Sequence, residues 1–232
     1  RVAVLVPAPD DPEAWDWAFD VEADVVHEHD HWHTHEHLPE RLSIPGFRRG
    51  TRWICTGDGP RYMVLYEVES LQTLSSPAYL ERLNNPTPWT TKMMPHYRGM
   101  QRGLCSVLGS AGIGQGGVAA LIRFTPDRDR ADALNRWLLD AVLAEVAQKP
   151  GLGSAHLLQG AQAAVMTNEQ RIRGADRGVD TALILTGYDA DAVATEALKL
   201  CGAGGLADRG AHDVVRHAYR SSYTVARDEL AA

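Results

Sequence analysis

An α+β fold made of two tandem βαββαβ units is the arrangement this chain predicts. Three observations carry it. Short apolar or alternating runs, which suit strands, are separated by longer amphipathic runs, which suit helices, in the order strand, helix, strand, strand, helix, strand. The same order returns after the glycine-rich stretch Ser110-Ala111-Gly112-Ile113-Gly114-Gln115-Gly116-Gly117. The length, 232 residues, holds one large domain or two small ones with an ample core.

In chain order, Val2–Val6 reads as a buried strand closed by Pro7 and Pro9. Asp10 or Asp11 before Pro12 suits a helix start, a capping carboxylate followed by proline in the first turn. Helical character then runs, with a break, through Trp15, Trp17 and Phe19 to Leu42. Ser43-Ile44-Pro45-Gly46 stops it. Gly46 to Cys55 is the next strand, and Asp58-Gly59 makes a hairpin-like turn to a strand over Arg61 to Val68. A helix around Leu71 to Leu83 is interrupted by Pro77. An irregular Asn84–Trp89 turn and a short helix to about His96 precede a strand over Arg98 to Leu108.

The second set follows the same plan. Val118 to Phe124 is a strand, and Asp129 to Gln148 an amphipathic helix ended by Pro150-Gly151. Gly153 to Gln159 and Thr181 to Tyr188 are strands, Asp189 to Cys201 a helix, and His217 to Val225 the last strand. The polar segment Ala161 to Gly178 reads as a long loop. Two split βαβ units in tandem make a duplicated ferredoxin-like fold. The division is residues 1–110, a flexible linker over 111–117, and residues 118–232. The glycines lead into a strand and no βαβ context surrounds them, so they are not a dinucleotide loop.

A net charge of −7 disfavours nucleic acid and anionic membrane as main partners, since both need basic patches. No apolar run approaches a membrane span, and no signal peptide is visible. The three cysteines, Cys55, Cys105 and Cys201, are far apart. They suit buried thiols in a reducing cytoplasm.

Six of the ten histidines fall between His27 and His37, at every second position. On a strand all six would share a face. On a helix they split into the stripes His27/His31/His35 and His29/His33/His37. The segment lacks β-branched runs, which favours the helix. A turn of about 100° per residue puts Leu38 and Leu42 on the side of His27, His31 and His35. That stripe is therefore expected to face the interior.

His31-Trp32-His33-Thr34-His35-Glu36-His37-Leu38-Pro39-Glu40-Arg41-Leu42, Ile44-Pro45-Gly46-Phe47-Arg48-Arg49, Arg61-Tyr62 and Tyr66-Glu67 resemble the dimeric α/β-barrel superfamily. Within it they look closest to the EthD-like group and its bacterial relatives. Ser75–Leu80 and Asn85–Thr90 are similar to the same group, so the resemblance covers roughly residues 1–108. His33 stands where the group usually has Tyr. The resemblance implies a barrel formed by two ferredoxin-like units, either between subunits of a homodimer or between the two halves. It also implies a small-molecule pocket between helices and sheet. The superfamily includes cofactor-free monooxygenases, isomerases, lyases and some haem enzymes.

His37 with Glu36 is the expected acid/base pair, because imidazole moves protons near neutral pH and a carboxylate can orient it. The alternative is that the two residues cap the helix. His33 or His35 would polarise a substrate oxygen. Trp32, His35, Tyr62, Tyr66 and Trp89 are the expected pocket, with Tyr97 beside them, or else they fill a core. Arg48, Arg49 and Arg52 could grip a carboxylate or sit at a solvated strand edge. His31 and His35, with His27 or Glu28, have the i,i+4 spacing of a helix-borne zinc, nickel, copper or iron site. The distant candidates for a further ligand are His96, His156, His212 and His217. No organic cofactor is required, and haem stays open because a single axial histidine has no spacing signature. The expected function is an acid–base enzyme acting on a small apolar carbonyl or aromatic metabolite. The alternatives are a metal protein and a non-enzymatic ligand-binding or assembly protein.

Overall fold

In the computed structural model, which describes residues 13–161, 168–173 and 180–231, eight strands close into one barrel in the order β1-β3-β2-β8-β5-β7-β6-β4. The first half supplies β1 (Glu13–Val21), β2 (Phe47–Cys55), β3 (Tyr62–Val68) and β4 (Tyr97–Gly112). The second supplies β5 (Val118–Pro126), β6 (Leu152–Ala161), β7 (Thr181–Gly187) and β8 (Ala211–Ala226). Each half has the spatial order fourth, first, third, second, as a ferredoxin-like unit requires. β2 pairs with β8 and β4 with β6, so the barrel closes within one chain and no strand edge is left open.

The helices pack outside the barrel. The first half carries α1 (Val26–Trp32), a π turn (His33–His37) and α2 (Leu38–Leu42) as one continuous rod, then α3 (Pro77–Asn84) and α4 (Pro88–Met93). The second half carries α5 (Ala131–Trp137), a π turn (Leu138–Val142) and α6 (Leu143–Ala147), then α7 (Asn168–Arg173) and α8 (Ala190–Cys201). Strand, π turn and next strand start at 13, 33 and 47 in one half and at 118, 138 and 152 in the other. That constant offset shows the duplication in backbone geometry, where sequence identity does not.

Three apolar clusters follow from this layering. One, around Trp32, Leu38, Tyr66 and Met93, lies between the first sheet and its helices. A second, around Leu134, Leu138, Leu183 and Val193, repeats it in the second half. The third draws Trp53, Met63, Cys105, Leu121, Leu158, Ile184 and Tyr219 from seven strands and fills the barrel. An eight-stranded barrel is just wide enough for its own side chains, so the lumen is packed. No helix of the described residues is long and apolar enough to cross a membrane.

Several expectations are corrected. Trp15, Trp17 and Phe19 are in strand β1, not a helix. Their alternation with Ala14, Asp16 and Ala18 has the period of a strand. The strand expected at Val2–Val6 and the helix start at Asp10–Pro12 lie outside the described residues. β4 and β8 each run for 16 residues, beyond the expected Leu108 and well before His217. Both pair with one strand from each half, β4 with β1 and β6 and β8 with β2 and β5. The stretch read as a loop over Ala161 to Gly178 contains α7. Six residues are too short to be helical by propensity, so tertiary contacts hold it. In the glycine-rich connection, Gln115 bonds Thr51 and the Gly116 N–H donates to Thr186 Oγ1 at 3.3 Å, tying it to the barrel.

Candidate functional site

The histidine-rich segment is a helix, as the residue pattern predicts, but the interior stripe is the other one. His29, His33 and His37 are 0%, 1% and 1% exposed, while His27, His31 and His35 face outward. The reason is the π turn. The Leu38 N–H bonds His33 O, five residues back, so one extra residue enters the rod. Everything after it is set back by about 100°. Leu38 and Leu42 then fall in line with His29, His33 and His37 instead of His31 and His35. Pro39 has no N–H to give the carbonyl four residues back, which favours the widening. The second-half π turn holds no proline, so the widening also belongs to this position in the fold. Gly50 lets the rod approach: a Cβ there would lie 2.6 Å from Leu38 Cδ2.

The three imidazoles form a row, with ring centroids 5.5 Å apart from His29 to His33 and 5.4 Å from His33 to His37. Tyr62 and Trp32 flank it at 4.6 Å from His29 and His37 respectively, and Phe19 stacks on Tyr97 at 4.4 Å. One end is polar and reaches water through Asp30, whose side chain is 31% exposed. Asp30 Oδ1 accepts from the Tyr62 hydroxyl at 2.8 Å and lies 3.4 Å from His29 Nδ1 and 3.8 Å from Arg52 Nη1. His29 Nε2 meets the Tyr97 hydroxyl at 3.3 Å. The other end reaches Arg41, which is paired with Glu169 of α7.

Burial sets the charge states. Desolvation holds His29 below its ordinary range and His33 well below it, with the neighbouring His37 adding to the effect at His33. Both are neutral imidazoles at pH 7. Burial works against ionisation of Asp30, but hydrogen bonds from His29 and Tyr62 and the Arg52 charge outweigh it and keep Asp30 below the usual carboxylate range. Burial and the Asp30 charge push Tyr62 up to about 12. His33 Nδ1 is buried and has no hydrogen-bond partner among the described residues. Such an atom costs about 1–3 kcal/mol and calls for an explanation.

The expected site residues separate into three groups. His33, His37, Trp32, Tyr62 and Tyr66 come together under the rod. Glu36, expected to orient His37, commits Oε1 to Trp32 Nε1 at 3.0 Å, Thr87 Oγ1 at 2.6 Å and Thr90 Oγ1 at 3.3 Å, and so ties the rod to α4. His35, placed in the pocket by expectation, is exposed, and Trp89 is half-buried with its indole N–H on Glu28 at 3.2 Å. His31 and His35 are 4.8 Å apart on the outer face, with His31 against Trp89. Among the described residues no three or more His, Cys, Asp or Glu are grouped to hold a metal. Arg48 is exposed at the strand edge beside Glu69, Arg49 is half-buried beside Glu67, and Arg52 is buried beside Asp30. Tyr97, expected beside the pocket, meets His29 Nε2, whereas His29, Asp30, Arg41 and Glu169 were missed as site residues. Only the His29 stripe had a sequence signal, and the π turn reversed its reading.

A haem would need an imidazole facing a slot as wide as a porphyrin. In the first half the layer beneath the row is filled by Phe19, Tyr62, Tyr66 and Trp32, all at most 1% exposed. In the second half neither α5, α6 nor α8 carries a histidine, and His156 binds Ser110 and Ser154 through its two nitrogens. As packed, the described residues do not fit the group.

No family model matches the chain, and no curated protein does. Solved structures do. An anthrone oxidase-like protein superposes with a TM-score of 0.68 at 12% identity, covering 94% of this chain and 94% of its own. A protein described as a monooxygenase, from Fusobacterium nucleatum subsp. nucleatum, gives 0.63 at 8% identity, covering 94% and 96%. A mutant chlorite dismutase from Candidatus Nitrospira defluvii gives 0.56 at 12%, covering 94% and 93%. A further neighbour, from Thermus thermophilus, is described as haem-binding. At these identities the likeness shows the fold: tandem ferredoxin-like units in a dimeric α/β-barrel architecture, here complete in a single chain.

Proposed function

We propose that this chain is a small-molecule enzyme that performs acid–base chemistry on an apolar carbonyl or aromatic metabolite, at the imidazole row of the first half. The observation that carries the reading is His33: a buried, neutral imidazole whose Nδ1 has no hydrogen-bond partner among the described residues. A neutral imidazole in a dry site is suited to donate a hydrogen bond to a substrate oxygen as negative charge develops there. His37, next in the row, accepts the proton from the adjacent carbon or hydroxyl. His29, tied to Asp30 and Tyr97, links the row to water and carries the proton out. Glu36 acts as a positioning residue through Trp32, Thr87 and Thr90. No organic cofactor takes part in these steps. The reaction class is a lyase, an isomerase or a cofactor-free oxygenase, in keeping with the EthD-like resemblance and with oxidase-like and monooxygenase neighbours of the same fold.

The test is turnover of a panel of enolisable ketones and hydroxylated aromatics by the native chain and by His37→Ala and His33→Ala. Loss of at least about 100-fold with an unchanged circular dichroism spectrum is expected. Native-like turnover in both variants sinks the assignment, and binding without turnover would make the protein a ligand carrier. A second reading is a transition-metal site at His31 and His35, favoured by their 4.8 Å separation on an exposed face. Stoichiometric metal in untagged protein, lost in His31→Ala, would support it. A cytoplasmic homodimer accompanies the EthD-like reading, and light scattering at several concentrations tests the dimer.

A further inference from the structure

Arg41 and Glu169 meet across a sequence distance that no local rule explains. Arg41 lies on α2, one turn after His37. Glu169 comes from the second half, on α7, which crosses over to pack on α3 and the turn before β4. Asn168 of α7 holds Asn84 of α3, its backbone N–H donating to Asn84 Oδ1 at 3.2 Å and its Nδ2 to Asn84 O at 2.7 Å. Ile172 joins the first-half core. The two charged side chains are 1% and 0% exposed.

As an ion pair this one is poorly made. Arg41 Nη2 donates to Glu169 Oε1, but Arg41 Nε and Nη1 and Glu169 Oε2 are buried without hydrogen bonds among the described residues. Glu40 Oε2, at 3.6 Å from Nη1, adds charge but no hydrogen bond, and Glu40 itself is shared with Arg82. A buried pair stabilises a fold only when the remaining donors and lone pairs are also satisfied. A guanidinium with Nε and Nη1 unfilled, and only Nη2 engaged, has the donors for a bidentate carboxylate. Tyr66 and Tyr79 lie close enough to Arg41 to be felt electrostatically, and with Phe47 they give the position aromatic walls.

We propose that Arg41 is the anion-binding end of the substrate site and that Glu169 of α7 occupies it in place of a ligand carboxylate. The substrate class narrows to a small aromatic or apolar acid. Its carboxylate displaces Glu169 and takes the Nε–Nη fork, and its body extends along the wall of Tyr66 toward His37 and His33. α7 withdraws as the acid enters, which gives access to a layer otherwise packed shut. The inference rests on the reading of the imidazole row as a substrate site, but it is tested by binding and not by turnover.

The probe is benzoate, with benzyl alcohol as the uncharged control, measured by calorimetry on the full chain. Glu169→Gln removes the competing internal carboxylate, so its affinity for benzoate should rise at least about tenfold over the native chain. The gain should vanish in the double variant Glu169→Gln/Arg41→Gln, which replaces the whole pair by neutral isosteres. Equal affinity in E169Q and the native chain, or a gain retained in the double variant, overturns the proposal. Should E169Q fail to fold, the native chain decides. Millimolar benzoate, but not benzyl alcohol, should speed hydrogen exchange across residues 168–173, and unchanged exchange overturns it. The gain in benzoate affinity of E169Q is read without turnover, and turnover of the uncharged ketones is read without Arg41, so the anion site and the acid–base reading can fail separately.

Discussion

Buried ionisable side chains make single residues of this chain sensitive to pH in opposite directions. His156 lies with Ser110, Ser154 and Thr186 in a hydrogen-bonded group, and burial holds it down to about 3. Unfolded, it binds a proton near 6.5, so between those values the unfolded state holds more protons and stability is lost as pH falls. By pH 4 this histidine alone costs about 3 kcal/mol. His29 and His33 add to the loss with the same sign. His156→Gln should therefore flatten the fall in melting temperature between pH 7 and pH 4, and a variant as steep as the native chain would contradict the assignment. Glu67 behaves oppositely. Its pairing with Arg49 at 3.6 Å does not offset burial, which pushes the carboxyl up to about 7. The fold keeps a proton that the unfolded chain releases above about 4.5, so stability falls as pH rises through 7, by up to about 3 kcal/mol. Glu67→Gln should remove that decline in a pH series of thermal melts. Both groups titrate because of where the barrel puts them, and neither was legible in the sequence: His156 stood out only as a remote metal ligand.

The element that decides the site is the rod from Val26 to Leu42. Its helical nature was legible, since alternating histidines without β-branched neighbours disfavour a strand. Its orientation was not, because regular 3.6-residue geometry assigns the wrong stripe to the core and a π turn leaves no mark beyond Pro39. Deleting Thr34 should remove the extra residue, let the rod close as a regular helix and leave Leu38 and Leu42 facing the sheet. One alanine inserted after Thr34 should instead turn Leu38 and Leu42 by about 100° away from the sheet, with loss of cooperative unfolding or a melting temperature far below the native one. An insertion variant as stable as the native chain would show that this count of residues does not set the phase. Gly50→Ala probes the same contact from the sheet side. The new methyl meets Leu38 and Tyr66 in a full core, so a loss of about 1–3 kcal/mol is expected in denaturant melts. In β1 the order of error was reversed: the period-two alternation of Trp15, Trp17 and Phe19 was present, but the capping signal at Asp10–Pro12 drew the helix start too early. α7 had no signal strong enough to see, because Glu169 gains its meaning only from Arg41, 128 residues away, and Ile172 only from the first-half core.

At the scale of the whole molecule, the duplicated ferredoxin-like plan was legible from element order alone, because period and turn chemistry mark each strand and helix separately. The way the barrel closes was not, since nothing local says whether β2 and β4 find partners in the same chain or in another. The seams answer it: β2 with β8 and β4 with β6. A fragment ending at Gly112 would expose both seam edges together with Trp53 and Met63 of the barrel filling. It should dimerise or aggregate in light scattering, and a well-behaved monomer would mean that the first half needs no partner sheet. The same closure explains the position of the site. With the lumen filled by its own side chains, the proposed chemistry sits in the layer between sheet and helices, where the inner histidines lie.

That the inner stripe is His29, His33 and His37, buried and neutral, is measured most directly by imidazole nitrogen NMR over a pH titration, with resonances assigned by single His→Gln variants. His29 should titrate below the ordinary imidazole value of 6.5, and His33 well below it. Midpoints for these two at or above 6.5 would place the stripe in water, and would contradict both the orientation of the rod and the chemistry proposed for it.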